Sequence, residues 1–426
     1  MLTSRRRKAG ALIIPAAAAF GIAQLLFWLS PGLFETWNSQ VLDRFFLIRS
    51  SVSGFNPPYD RTVVHVDLNN SAIRQLGTFY LTRSHYARVI QNLAAMQTSA
   101  QAYDLIFAAE TNPADDEAII EAARAARNVY FGMALALGSE GDPKEARVSG
   151  EVNEYLGRTL WSVCVEGKGE DLYRGSKPLI TFPGLAAASR GLGFLTLQAD
   201  RDGVLRRVPL LVRYEDGYYP SLPFRVACDF LGVPPEKITI TPGSHIRLEG
   251  ARRPGGTPRD ILIPIDRHAN MIVNFTGPWG SMKHYNFAQI YSASDDREEM
   301  ELWIEELSGK VAVISDISTG ASDIGPVPVD VNFPLSGLHA NVVHTIISES
   351  FLSEWPRVSP AVEAAMVLVL LLMSTRLSPA RFFAGAALFM AVCAAGALAL
   401  FLTGGVMLPV VRPAFASGTA AAFILA

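Results

Sequence analysis

Apolar and polar positions divide this chain into two regimes. No residue from Ala9 to Phe34 is charged, and Ala364–Thr375, Phe382–Val411 and Pro413–Ala426 are uncharged as well. Only Arg376, Arg381 and Arg412 interrupt the C-terminal runs. A helix needs about 20 apolar residues to cross hydrocarbon, so the runs predict spans over 9–30, 358–375, 382–402 and 406–426, with the last incomplete at its end. Between Glu35 and Arg357 charges recur and apolar runs shrink to strand length. That texture belongs to a soluble domain, placed over 31–357, with a basic tail over 1–8 before the first span.

Within the soluble stretch, Thr62-Val-Val-His-Val-Asp-Leu68 reads as a strand, and Arg83 to Met96 carries Tyr86, Val89, Ile90 and Leu93 at helical spacing, with Ser84 as a cap. Ala102 to Phe107 reads as a second buried strand. Asn112-Pro113 opens a helix to about Arg127, its first turn acidic with Asp115, Asp116 and Glu117, and Asn128 to Phe131 is a third strand. Strand, helix, strand, helix, strand implies a largely parallel sheet in a mixed α/β domain. Gly138 to Pro178 is polar and weakly periodic and reads as a loop-rich insertion. Gly193 to Leu197 and Val204 to Val212, about the turn Asp200-Arg-Asp-Gly203, read as a hairpin. A helix follows over Ser221 to Leu231. Strands are expected at Ile261 to Ile265, Met271 to Phe275 and Val311 to Ser315, and a helix at Ala340 to Glu349.

Composition and charge then fix the setting. Of 426 residues 50% are apolar and 18% charged, richer in apolar side chains than an ordinary soluble chain. Arg5-Arg6-Arg7-Lys8 precedes the first span, and Arg376 and Arg381 flank the link after the second; the positive-inside rule places both in the cytoplasm and the domain outside the inner membrane. A cleaved signal peptide is the alternative for the N-terminus, given the Ala16 to Ala19 run, but the uncharged stretch is long for one, and Trp28 and Trp37 suit interfacial anchors. Glu363 is expected at the outer edge of the second span, and Arg412 near the outer surface with Pro409 and Pro413 in a turn. The net charge of −3 gives no reason to expect nucleic acid. Cys164 and Cys228 share an oxidising compartment and are able to pair.

Candidate chemistry is sparse. The chain has no phosphate-cradling glycine loop, no His-Glu-x-x-His and no Gly-x-Ser-x-Gly, and its 7 histidines do not cluster in sequence. Asp200-Arg-Asp-Gly203 lacks the remaining ligands of a calcium loop and reads as a turn. No catalytic residue, metal site or cofactor is assigned. Carboxylates at strand ends are the ligand candidates, because loops there commonly hold ligands in α/β sheets: Asp67, Asp104 and Asp323, with Thr319 in the Ser318-Thr-Gly320 turn and Asp316 before it. For each, helix capping or turn formation is the competing role. Arg83, His339 and Asn341 are weaker candidates.

Several blocks together resemble the second type of CHASE domain, the extracytoplasmic sensory module of bacterial nucleotide cyclases, histidine kinases and related receptors. They are Val63-Val-His-Val-Asp-Leu-Asn-Asn-Ser-Ala-Ile-Arg-Gln-Leu-Gly77, Thr82-Arg-Ser-His-Tyr-Ala-Arg88, Tyr103-Asp-Leu-Ile-Phe107, Asp202-Gly-Val-Leu-Arg-Arg-Val-Pro-Leu210, Val273-Asn-Phe-Thr-Gly-Pro278 and Gly337-Leu-His-Ala-Asn-Val-Val-His-Thr-Ile-Ile347. The chain departs from the family pattern at Ser315-Asp-Ile-Ser-Thr-Gly320, and Gly138 to Pro178 has no clear counterpart. The resemblance implies an α/β extracytoplasmic sensor domain with transmembrane helices, and an effector beyond the last span, a nucleotide cyclase or a kinase. A sensor of this kind takes a small-molecule or protein signal and works as a homodimer; Ala384-Gly-Ala-Ala387 and Ala394-Ala-Gly-Ala397 suit close helix contacts or ordinary apolar filling equally. Two other readings stay open, a membrane-anchored extracytoplasmic enzyme and a scaffold that recognises a protein partner.

Overall fold

Two helices open the chain, α1 (Leu2–Leu29) and α2 (Pro31–Ser51), the second with proline in its first turn, where a missing N–H is free of cost. The computed structural model describes residues 2–52, 54–78, 80–138, 150–167, 169–320, 323–355 and 360–425, with side chains from Leu12 onward. Contacts divide it into a unit of residues 57–351 and a helical unit of residues 1–56 with 352–426.

The first unit begins with β1 (Val63–Leu68), α3 (Asn70–Leu76), α4 (Arg83–Ala95), β2 (Ala100–Tyr103), α5 (Pro113–Ala126) and β3 (Val129–Gly138). This is the alternation that the periodicity predicts, with two differences: the short α3 was not expected, and β2 starts and ends earlier than Ala102 to Phe107, so residues 104–107 lie beyond the strand. Asn112 caps α5, its side chain accepting from the N–H of Ala114 at 3.0 Å. The cap of α4 is Thr82 rather than Ser84: the Thr82 N–H donates to His85 Nδ1 at 3.1 Å, and Ser84 bonds Asp115 instead. Next come α6 (Gly150–Thr159), β4 (Cys164–Val165), β5 (Arg174–Ile180), α7 (Pro183–Ala188) and β6 (Gly191–Phe194). The stretch expected to be loop-rich thus holds a helix and much of a strand, while its residues 139–149 and 168 lie outside the described residues. Then follow β7 (Arg207–Pro209), β8 (Leu211–Tyr214), β9 (Gly217–Pro220), α8 (Leu222–Phe230), β10 (Ile238–Thr241), β11 (His245–Ala251), β12 (Arg259–Pro264) and β13 (Asn270–Ile272). The unit closes with β14 (His284–Asn286), α9 (Phe287–Ser292), α10 (Arg297–Leu307), β15 (Val311–Asp316), β16 (Ile324–Val327), β17 (Asp330–Pro334) and α11 (Ser336–Ser348).

The main sheet runs β14-β1-β15-β2-β3-β5-β8-β9, with β6 also on β3. Its first five strands are mutually parallel. The largely parallel α/β sheet expected from sequence is present, with one difference in order: β15 lies between β1 and β2. Val64, Val66, Leu68, Tyr103, Ala312 and Ile314 share one face and pack with Tyr86, Val89, Ile90 and Leu93 of α4 and Ile119 of α5. Burial of such side chains is worth about 1.5–3 kcal/mol each. Helix α11 packs against β1 and β15 and against α8.

The expected hairpin about Asp200 to Gly203 does not form. The turn itself closes, with Gly203 N–H on the Asp200 carbonyl at 2.9 Å. Its flanks go elsewhere, because β6 pairs with β3 and β7 with β13. Asp200 and Asp202 each hold the buried Arg206 guanidinium at 2.8 Å, so both carboxylates are committed to that cation. The hairpin of this region is β8 with β9. Cys164 is exposed, Cys228 is buried, and both are free thiols.

The helical unit continues with β18 (Ser353–Glu354), α12 (Pro360–Ser374), α13 (Pro379–Gly404), β19 (Val406–Met407) and α14 (Val411–Leu425). Among the described residues two helices, over Leu12–Leu29 and Pro379–Gly404, are long and apolar enough to cross a membrane. At 15 residues each, α12 and α14 are shorter, about 22 Å. The side chains of Arg5 to Lys8, and residues 356–359 at the expected start of the second span, lie outside the described residues. Glu363 stands in the first turn of α12, and its side chain is fully buried among helices, where it accepts from Gln24 and faces Arg412 at 3.3 Å. A buried carboxylate needs such partners.

Candidate functional site

A row of polar groups crosses the carboxyl ends of three adjacent strands. Asp67 on β1 is in register with Ser315 on β15. Ile314 is in register with Tyr103 on β2, so Asp104, the next residue, continues the row, its N–H on the Ile314 carbonyl at 2.9 Å. Residues in register on parallel strands share a face. Asp67, Ser315 and Asp104 therefore point away from the α4 core and toward α11.

The first turns of α11 bring the complementary groups. His339 is buried, with Nε2 3.7 Å from an Asp104 carboxylate oxygen. Burial holds its pKa below the ordinary imidazole range, against the pull of Asp104 and Asp323. Burial likewise raises the Asp104 carboxyl; Asp323 adds to the rise and His339 opposes it. Asp104 thus stands beside His339, and the exposed Asp323 acts on both through its charge. Gly337 makes the approach possible, because a Cβ there would lie 2.6 Å from the Trp279 ring and 2.7 Å from Phe333.

At the sheet edge, His65 on β1 is in register with His284 on β14. His284 Nδ1 lies 2.8 Å from Asp67 Oδ2, and its Nε2 lies 2.9 Å from the Trp279 carbonyl. A carbonyl only accepts, so Nε2 carries a proton. Burial disfavours the charged ring, yet the hydrogen bond and charge of Asp67, with the Trp279 carbonyl, hold the His284 pKa above its ordinary value. His65 stacks on His284 with centroids 4.8 Å apart and is held well below its ordinary pKa by burial and by that neighbour.

Buried polar atoms without a hydrogen-bond partner gather here. They include both ring nitrogens of His65, Asp67 Oδ1, Ser315 Oγ, Ser336 Oγ and His339 Nδ1. Each such atom costs about 1–3 kcal/mol when left without a partner, so a water, an ion or a ligand is the natural partner for this group of atoms.

The residues singled out in sequence divide accordingly. Asp67, Asp104 and Asp323 contribute to this region. Thr319 does not: it is exposed and pairs with Asn70, whose Nδ2 donates to Thr319 Oγ1 at 2.7 Å and whose Oδ1 accepts from the Thr319 N–H at 3.0 Å. Asp316 closes its own turn, accepting from the N–H and hydroxyl of Ser318 at 2.9 and 2.6 Å. Arg83 is spent on Asp116, and Asn341 on the Gly337 carbonyl and the Thr276 N–H. His65, His284, Ser315 and Ser336 were missed. The alternation His65-Val-Asp67 puts His65 on the same face as Asp67 and was readable; the β14 register was not.

Comparison with known proteins adds the following. No curated protein and no solved structure matches the chain. The family model of the CHASE2 domain matches residues 17–375, which takes in the whole of the α/β unit and the strand-end row. On that match the chain belongs to the CHASE2 family of extracytoplasmic sensory domains.

Proposed function

We propose that this chain is the sensory part of a membrane-bound receptor, detecting an extracytoplasmic stimulus through residues 57–351 and passing it through its transmembrane helices to a cytoplasmic effector. The effector is a nucleotide cyclase or a histidine kinase in a longer parent chain, and the receptor works as a homodimer in the bacterial inner membrane. Family membership supports the sensory role. Two helices of spanning length and the basic run Arg5 to Lys8 support anchorage with the domain outside. Helix α13 exposes apolar side chains on more than one side, with Phe383, Leu388 and Val392 each more than 60% exposed, which suits lipid or a second copy.

The observation that carries the reading is the row Asp67, Ser315, Asp104 under the first turns of α11, with unsatisfied buried polar atoms on both sides. A signal acts only through different affinity for two conformations. A polar ligand that satisfies Ser315, Ser336 and His339 favours whichever placement of α11 completes those bonds, and α11 leads directly into the segment that re-enters the membrane.

The test is thermal melting of the purified full chain in detergent against small periplasmic metabolites and ions. A ligand at 100 times its Kd adds about 2.7 kcal/mol. The expected result is a saturable upward shift that Asp104→Ala and Asp323→Ala abolish. Shifts that survive both variants would move the ligand elsewhere.

A further inference from the structure

The geometry points to a binding site for a divalent transition-metal ion of the zinc type, made by His65, Asp67 and His284. One ligand atom from each of the three lies within 4.8 Å of the other two. Two imidazoles and a carboxylate are the donor set that zinc takes in sites with an open position. Ligand atoms on a tetrahedral ion are about 3.3 Å apart at zinc–nitrogen bonds near 2.0 Å, so rotation of side chains, without movement of strands, closes the trio.

Three independent features favour a metal over a polar core. His284 donates Nε2–H to the Trp279 carbonyl at 2.9 Å, the outer hydrogen bond that fixes a histidine tautomer and turns the other nitrogen to a metal. The freed Nδ1 is the atom facing Asp67. Asp67 is 4% exposed and His65 fully buried, and Asp67 Oδ1 and both His65 nitrogens lack any partner. A protonated His284 satisfies Asp67 Oδ2 but none of those three atoms. Access exists as well: β14 is the edge strand of the sheet, and the His284 side chain keeps 21% of its exposure. The cation next in sequence, Lys283, alternates to the opposite face, where it approaches Glu306 and the Tyr285 ring.

Metal binding replaces the proton between His284 and Asp67 with the ion and releases it to solvent. Three protein ligands leave the fourth position open to water or to a donor carried by the signal. The site deepens the sensory reading by naming a ligand class, and it rests on that reading only for this consequence, since binding stands on the three side chains alone.

The experiment uses the purified full chain in detergent, stripped with chelator and titrated with Zn2+ and Co2+. One tightly held ion per chain is expected, with visible Co2+ bands of low-symmetry coordination and X-ray absorption showing imidazole and oxygen scatterers. Asp67→Asn and His284→Gln should weaken binding at least about tenfold, while His245→Gln, on β11 and outside the strand-end row, should leave it unchanged. Because the absorption spectrum is taken on the unaltered chain, it decides the matter even where a variant fails to fold. No retained ion, sulfur scattering from a cysteine site, or unchanged affinity in both variants would overturn the proposal. Loss of metal binding with a surviving Asp104-dependent metabolite shift would remove the metal and leave the sensor. A bound ion with no such shift would do the reverse.

Discussion

Arg83 and Asp116 form an ion pair buried on both sides, their side chains 8% and 9% exposed, that ties the start of α4 to the start of α5. Asp116 also accepts from the Thr111 N–H at 2.8 Å, and Arg83 lies over the Phe182 ring at 4.7 Å. Removing one partner strands the other charge in a low-dielectric setting, which costs about 3–5 kcal/mol. Asp116→Ala should therefore lower the melting temperature sharply and speed hydrogen exchange of the β2 and β3 amides. Arg83→Met with Asp116→Leu should recover most of the loss; a double variant as unstable as the single one would show that packing, and not the unpaired charge, sets the cost.

His344 supplies a dependence on pH. Its Nδ1 accepts from the Asp60 N–H at 3.1 Å and its ring stacks on Tyr59. Burial lowers its pKa from 6.5 to about 4, against the charge of Asp60. A depressed folded pKa means that the unfolded chain binds the proton first. Stability from this group is thus complete above pH 6.5 and falls as pH drops toward about 4, by on the order of 3 kcal/mol. His344→Asn keeps an acceptor for the Asp60 N–H and should flatten that limb of a stability-against-pH curve. An unchanged limb would assign it to other groups.

Gly193 tests the seam between β6 and α8. A Cβ at this position would stand 2.3 Å from Leu222 Cα and 2.5 Å from Leu222 N, backbone atoms with no rotamer to yield. Gly193→Ala should cost about 1–3 kcal/mol through displaced backbone. Gly280→Ala, where a Cβ meets nothing within 4 Å, is the control and should be neutral in the same thermal melts.

What the sequence disclosed follows from how local each signal was. The β1–α4–β2–α5–β3 alternation came from periodicities of 2 and 3.6 with a strong cap at Asn112, and those signals lie within a few residues of one another. The hairpin about Asp200 failed because a good turn says nothing of its strands' partners: β7 found β13 some sixty positions on, and Arg206 took the turn's carboxylates. The candidate site was half legible for the same reason. Strand-end carboxylates Asp67 and Asp104 stand in hydrophobic runs that reveal them. His284 sits on a three-residue strand whose pairing with His65 is purely tertiary, and Ser315 gains meaning only once β15 lies between β1 and β2.

Asp104 makes the last prediction, because folding and ligand recognition make opposite demands on it. Burial raises its carboxyl pKa, with Asp323 adding to the rise and His339 opposing it. A raised folded pKa gives stability that is complete below the ordinary carboxylate range and is lost as pH climbs through the elevated value. Ionisation of Asp104 is therefore what the fold disfavours, and Asp104→Asn, similar in shape and uncharged at every pH, should gain stability over the wild-type chain as pH rises, by about 0.5–2 kcal/mol, and gain less in acid. The same substitution should weaken any ligand that needs the carboxylate beside His339. Melting curves at two pH values, with and without the ligand found for the wild-type chain, check both halves. A variant destabilised at neutral pH would mean that the carboxylate serves the fold through His339, and the site would lose its strongest mark of being kept for function.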